Sequence, residues 1–264
     1  MNAPQRSRQL QAGFTLVEMA VVLVIIGIIL GAVMIGRDAQ RNAEYTRIRQ
    51  NFVNQWALAY NNYVQRTGVP PGDDQRAPRL MVNGAKFTGS NGSLSGGDMS
   101  RISNLPSAIC NGGTAPGIDR PVDGDVQLRE VMLRAGITLP QGRGQGYEDR
   151  YVYLDTNGNP QEIQVCFQWN PPGTHSGSGN VMILTGLTPD LARSLSSAID
   201  GNGDASGGSF RQNSVASGAG SQPGVEWKGN NTQTYGSTGD AEKVETGNAE
   251  GQVLTLIAHY KMNQ

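Results

Sequence analysis

The sequence predicts an α+β fold, in which a long N-terminal helix packs on a C-terminal head built from an antiparallel β-sheet, short helices and long Gly-rich loops. Two observations predict this class. Residues 14–67 form one uninterrupted helical pattern that is hydrophobic at first and then amphipathic. Residues 68–264 alternate short strand and helix patterns with stretches rich in Gly, Ser and Asn. We therefore expect a helix over 14–67 and a globular head over 68–264.

The composition is that of a folded protein with balanced charge. Among 264 residues, 21 Lys and Arg oppose 22 Asp and Glu, so the charge gives no reason to expect nucleic acid as a partner. The 36 Gly and 13 Pro remain below the share of roughly 25–30% that marks low-complexity chains. A four-ligand zinc site would need both Cys and both His of the chain, and we set it aside.

The first half of the predicted helix is long enough to cross a bilayer. The run from Phe14 to Gly36 contains a single ionisable side chain, Glu18. As a helix this run measures about 35 Å, whereas the apolar region of an ordinary cleaved signal peptide has only about 7–15 residues. We therefore expect residues 14–36 to span a membrane.

The second half of the helix has one apolar face. No Gly or Pro interrupts the chain from residue 37 to Gly68, and Pro70 and Pro71 follow. The apolar residues recur at steps of three or four; they are Ile48, Phe52, Trp56, Tyr60 and Tyr63. This spacing predicts a helix that lays one side on a folded domain and ends at Gly68.

Two short helices are predicted in the head. The first follows Asp125 as a candidate N-cap and ends at Gly136. Its apolar face consists of Leu128, Val131, Met132 and Ala135. The second begins with Thr188 as N-cap and Pro189 at the first helical position. Its inward-facing residues are Leu191, Leu195 and Ile199.

Four strands are predicted in the head. They are Tyr151–Leu154, Ile163–Trp169, Val181–Thr185 and Val253–Tyr260. Asn157-Gly158 lies between the first two and is typical of a hairpin turn. We expect residues 201–250, which contain several Gly/Ser/Asn stretches, to form a long surface excursion.

Catalytic chemistry has little support in the sequence. His175 and His259 have no nucleophile motif near them, and the glycines form no phosphate-binding loop. The cluster of Asp119, Asp123 and Asp125 is more typical of turns and helix caps than of an acid/base pair. We therefore predict that the protein is not an enzyme.

Residues 13–18, GFTLVE, carry a family resemblance. Together with Arg6 and Arg8 and the long apolar run behind them, they resemble the class III signal of type IV pilins and type II secretion pseudopilins. The resemblance implies that residues 1–13 are a leader, that prepilin peptidase cuts between Gly13 and Phe14, and that Phe14 is then N-methylated. The apolar helix stays on the mature subunit.

Glu18 is a functional candidate on physical grounds alone. A carboxylate within a lipid-facing helix is costly and needs a partner. If the chain is cut before Phe14, a new ammonium group appears one helical turn from Glu18. The resemblance implies that Glu18 interacts with the terminal amine of a neighbouring subunit during assembly. The alternative is a carboxylate near headgroup depth without a role.

The function implied by the resemblance is that of a structural subunit of a type IV pilus or pilus-like filament. The precursor is expected as a single-pass protein of the inner membrane, and the filament at the cell surface or in the periplasm. The implied partners are other pilins in a homo- or hetero-oligomeric filament, prepilin peptidase, the inner-membrane assembly platform and the membrane itself. The alternatives are a type II secretion pseudopilin and a bitopic envelope protein with a ligand-binding or enzymatic head.

Two further sites are predicted in a head placed outside the cytoplasm. Cys110 and Cys166 are an even pair, for which we expect a disulfide, with two buried free thiols as the alternative. No cofactor is expected. Asp200 and Asp204 have the spacing of a calcium loop, although the residues that follow break the EF-hand pattern. Because some pseudopilins bind calcium in a C-terminal loop, a calcium site at these two residues is kept as an alternative to a site without metal.

Overall fold

A computed structural model gives the structure of the protein. It describes residues 15–87, 99, 104–110, 117–119, 127–216, 224–229 and 254–262. The chain divides into two compact units, residues 1–44 and residues 45–264. The predicted leader, residues 1–13, lies outside the described residues.

The N-terminal helical segment has two parts joined by a π turn. Helix α1 covers Leu16–Ile48, the π turn Arg49–Val53, and helix α2 Asn54–Thr67. The segment ends where predicted, because Gly68 adopts φ 78° and its N–H donates to the carbonyl oxygen of Val64 at 2.8 Å. The π turn was not predicted, since no Gly or Pro marks it.

The head contains one five-stranded sheet. Its strands are β1 Arg150–Leu154, β2 Pro160–Asn170, β3 Gly179–Leu187, β4 Phe210–Gln212 and β5 Leu256–Lys261. They lie in the order β1-β2-β3-β5-β4, and every neighbouring pair is antiparallel. The predicted hairpin joins β1 to β2, with Gly158 at φ 84°. The α+β class is confirmed.

The prediction for residues 201–250 is wrong in part. Phe210–Gln212 form strand β4, and Ala205, Phe210 and Trp227 are buried in the core. A strand of three residues is too short to produce a recognisable alternation, and single aromatic residues among glycines carry no periodic pattern.

The two short helices of the head are present, with one corrected cap. Helix α3 covers Leu128–Arg134 and its N-cap is Gln127, so the cap expected at Asp125 is wrong and lies two residues too early. Helix α4 covers Pro189–Asp200, and the Thr188 hydroxyl accepts the N–H of Leu191 at 3.4 Å, as predicted.

The core forms where the amphipathic helix meets the sheet. The ring centroids of Trp56 and Tyr60 lie 6.0 Å and 5.1 Å from that of Phe167 in β2, and Phe52 lies 5.4 Å from Tyr151 in β1. The predicted apolar face is buried at all five of its positions, namely Ile48, Phe52, Trp56, Tyr60 and Tyr63. Burial of this face against β1 and β2 therefore contributes to the stability of the head.

Candidate functional site

The best candidate site lies at the start of helix α1. The carboxylate of Glu18 accepts the backbone N–H of Thr15 at 2.8 Å and the Thr15 hydroxyl at 2.9 Å, both through Oε2. The Thr15 hydroxyl also accepts the N–H of Glu18 at 3.3 Å. This reciprocal arrangement is a capping box, which satisfies N–H groups that a helix start leaves free.

The other carboxylate oxygen of Glu18 is available. Among the described residues, Oε1 of Glu18 accepts no hydrogen bond, and the side chain is exposed. The predicted cleavage site between Gly13 and Phe14, and the predicted methylation of Phe14, lie outside the described residues. The structure therefore describes the acceptor of the predicted pair and not its amine.

An uncovered apolar surface follows Glu18. Helix Leu16–Thr67 is long and apolar enough to cross a membrane, and none of its most apolar window is buried within the structure. The large apolar side chains here are 43–90% exposed. They are Leu16, Val17, Met19, Val21, Val22, Leu23, Val24, Ile25, Ile26, Ile28, Ile29, Leu30, Val33, Met34 and Ile35. Such a surface needs lipid or protein around it.

The two cysteines are joined in the head. Cys110 and Cys166 form a disulfide with a Cα–Cα distance of 5.9 Å, and both are fully buried. The bond ties the short segment 104–110 to strand β2, where the N–H of Ile109 also donates to the carbonyl oxygen of Phe167 at 3.0 Å. The disulfide therefore cross-links this segment to β2 within the hydrophobic core.

Asp200 and Asp204 both hold backbone. The Asp200 carboxylate accepts the N–H groups of Ser209 and Phe210, each at 2.9 Å. The Asp204 carboxylate accepts the N–H of Ser206 at 2.9 Å, and this hydrogen bond lowers the pKa of Asp204. Within the described part of the chain no group of three or more His, Cys, Asp or Glu could hold a metal ion. Calcium at this pair stays a prediction.

The acidic cluster near Asp119 is only partly described. Asp119 lies 3.8 Å from Arg129 of α3, whose Nε also meets Glu148 at 3.0 Å. Asp123 and Asp125 lie outside the described residues. Arg129 therefore links the start of α3 to Glu148 in the loop before β1. Asp119 contacts the same guanidinium group, which is a structural role for this carboxylate.

A buried Ser–His pair was not foreseen from the sequence. The hydroxyl of Ser176 lies 2.8 Å from Nδ1 of His259, and Nδ2 of Asn170 lies 3.1 Å from the same nitrogen. Burial lowers the pKa of His259 from 6.5 to about 4. Ser176 and His259 are 1% and 2% exposed, so this pair is closed to a substrate. His175 is exposed and lies outside it.

The comparison with known families identifies the N-terminal signal. Residues 8–34 match the family model of the prokaryotic N-terminal methylation motif. That motif is the signature of the prepilin-type signal of type IV pilins and pseudopilins. The match is confined to this N-terminal segment, and it supports a protein with the prepilin-type signal of type IV pilins or pseudopilins. No curated protein and no solved structure is significantly similar to the chain.

Proposed function

We propose that this chain is a structural subunit of a type IV pilus or pilus-like filament. It is stored in the inner membrane as a prepilin, is cut between Gly13 and Phe14, and polymerises through its N-terminal helix. One observation carries the proposal: Glu18 stands at the start of an exposed apolar run of helix α1, inside the matched motif at residues 8–34.

The geometry of Glu18 suits a contact between subunits. The capping box with Thr15 uses Oε2 and leaves Oε1 open. An ammonium group on the cut N-terminus of a neighbouring subunit is the partner that would compensate the carboxylate in an apolar core. Because removing one member of a buried ion pair is strongly destabilising, such a pair specifies how an incoming helix docks.

The apolar face of α1 supplies the packing surface for the filament. In the precursor this face lies in lipid, and in the filament the helices of neighbouring subunits cover it. Repeated head-to-tail contacts of this kind generate an open helical assembly with the heads on the outside. The heads then lie at the cell surface, or in the periplasm if the filament is a pseudopilus. The partners are other pilins, prepilin peptidase and the inner-membrane assembly platform.

Replacement of Glu18 tests this proposal. In Glu18→Ala the precursor is expected to insert and to be processed, while the amount of subunit in the sheared filament fraction falls at least about tenfold, because the incoming amine loses its partner. Immunoblots of membrane and sheared fractions measure both quantities. Glu44→Ala, a change on the same helix beyond the apolar run, is the matched control and should assemble normally. Wild-type filament yield from Glu18→Ala would contradict the proposed role of the carboxylate.

A further inference from the structure

The two outer edges of the sheet differ in whether their backbone groups are occupied. At β4, the N–H of Lys261 donates to the carbonyl oxygen of Ser209 at 2.8 Å, so the residues on either side of Arg211 point away from β5. Their N–H groups are taken. Phe210 donates to the Asp200 carboxylate at 2.9 Å, and Gln212 donates to the carbonyl oxygen of Ala205 at 2.7 Å. The two outward N–H groups of β4 are therefore occupied.

The register of the β1–β2 hairpin defines the outward groups at the other edge. The N–H of Val165 donates to the carbonyl oxygen of Asp149, and the N–H of Asp155 donates to that of Asn159, both at 2.9 Å. These bonds flank the paired region at its two ends. Since bonded and non-bonded pairs alternate in an antiparallel ladder, the odd-numbered residues of β1 bond to β2 and the even-numbered residues point outward.

The outward groups of β1 are open. The N–H of Arg150 turns back to the carbonyl oxygen of Tyr147 at 3.2 Å, which leaves Val152 and Leu154. Among the described residues, nothing bonds to the outward N–H and C=O groups of these two residues. Their side chains are 44% and 53% exposed. An edge strand normally carries a Pro, a Lys or a bulge that prevents further pairing, and β1 has none of these.

From this open edge we infer that β1 is a docking strand for β1 of a second copy of this chain, antiparallel about a two-fold axis. The register places Val152 of one copy opposite Leu154 of the other, and the reverse, with four backbone hydrogen bonds. Each Tyr153 faces its counterpart across the axis. The outward N–H and C=O groups of Val152 and Leu154 are thus the groups that form the hydrogen bonds of this pairing. The edge is therefore complementary to itself.

The charges beside the edge permit this contact. Arg150 pairs with Glu162 of β2 at 2.9 Å, and Arg143 pairs with the same carboxylate, so Glu162 offsets only one of the two positive charges near Val152 and Leu154. In the two-fold register Arg150 faces Thr156 of the other copy, and no like charges oppose each other. A second β1 supplies the matching aliphatic pair for Val152 and Leu154.

The proposed contact joins only two copies and involves few residues. A two-fold interface joins two copies and stops, unlike the head-to-tail contacts of a filament. Anchoring of both chains in one membrane raises their effective concentration, which compensates for the small size of the contact. The inference concerns the head alone and stands apart from filament assembly.

Cysteine crosslinking in the native membrane tests the register. Full-length Val152→Cys and Leu154→Cys are co-expressed and oxidised, and the dimer is measured on non-reducing gels. Paired Cα atoms across the axis lie about 5.5 Å apart, within disulfide range, while two Val152 positions are offset to about 7–8 Å. We expect at least tenfold more dimer from the mixed pair than from Val152→Cys alone. Leu133→Cys with Leu154→Cys is the control, since Leu133 is equally exposed, at 47%, but lies on α3.

A second variant tests the backbone bonds without disturbing the hairpin. Val152→Pro removes an N–H that points outward, so β1–β2 pairing and the thermal midpoint should be unchanged, while the dimer fraction by native mass spectrometry falls at least fivefold. A mixed-pair yield no higher than the Leu133 control overturns the inference. So does a crosslink to a different protein, or a dimer that survives Val152→Pro.

Discussion

At the scale of single residues, His259 has the most unusual environment. Its imidazole is fully buried on β5, where Nδ1 faces the Ser176 hydroxyl at 2.8 Å and Nδ2 of Asn170 at 3.1 Å. Nδ2 of Asn170 also donates to the carbonyl oxygen of Gly177 at 2.8 Å. Because Nδ2 of Asn170 can only donate, Nδ1 of His259 is the acceptor, so the proton of the neutral ring resides on Nε2.

The low pKa of His259 makes head stability depend on pH. The unfolded imidazole takes a proton near pH 6.5, whereas burial lowers the folded pKa to about 4. Within that window the unfolded state binds more protons, so protonation favours unfolding and stability falls as the pH is lowered. We expect this group to lower the free energy of unfolding by about 2 kcal/mol between pH 7 and pH 5. Urea unfolding followed by tryptophan fluorescence measures it.

The control for this prediction is His259→Gln. The variant is less stable at pH 7, because its amide must fit the same donors, but the part of the pH dependence that comes from this site is lost. His175 is present in both proteins and cancels in the comparison. Equal pH slopes for the two proteins between pH 5 and pH 7 would show that His259 does not titrate in this range.

Single residues could be predicted from the sequence where their role is local. Thr188 and Gly68 act on backbone groups within a few positions of themselves, so the cap and the stop were predicted correctly. His259 and Ser176 are 83 positions apart, and Asn170 is 89 positions from His259. Only the pairing of distant strands brings such side chains together, and no local pattern records it.

At the scale of elements, strand β3 contains an irregularity that depends on one glycine. The register between β3 and β5 shifts between Leu184 and Leu187. Gly186 lies in that interval with φ 74°, and a Cβ there would stand 1.9 Å from the carbonyl oxygen of Glu162. Its own carbonyl accepts the Tyr153 hydroxyl at 2.9 Å. The bulge therefore joins three strands at a point where only glycine fits.

Substitution of Gly186 should be severe. Gly186→Ala places a methyl group against the backbone of β2, so we expect a loss of at least about 3 kcal/mol in the free energy of unfolding. Gly158→Ala is the matched control, because Gly158 also has positive φ, at 84°, but a Cβ added there would meet no atom within 4 Å. The control should lose only about 1 kcal/mol. If both variants lost a similar free energy of unfolding, the backbone near Gly186 and Glu162 would accommodate the added methyl group without cost, contrary to this prediction.

Elements were predicted well where their pattern is long. The five-position face of the amphipathic helix predicted which side of the helix is buried. Strand β3 was predicted only as far as Thr185, because a glycine commonly marks the end of a strand, whereas Gly186 is a bulge within it. The π turn at Arg49–Val53 and the three-residue strand β4 have no local sequence signal.

At the scale of the whole molecule, the described residues comprise an exposed apolar N-terminal segment and a head with a continuous core. Residues 15–44 are almost entirely exposed, while the head buries one large apolar cluster on both sides of its sheet. An exposed apolar helix in the same chain as a head with its own core is explained by the proposed function, in which lipid and later other subunits surround the helix.

Prepilin processing is the step on which the proposed function depends, and identification of the N-terminus of the mature protein is its most direct test. The measurement is intact mass and N-terminal sequencing of the protein purified from its native envelope, in cells with an active prepilin peptidase. The account predicts a chain that begins at N-methylated Phe14 and has lost residues 1–13. A mature chain that retains residues 1–13, with Phe14 unmodified, would contradict it.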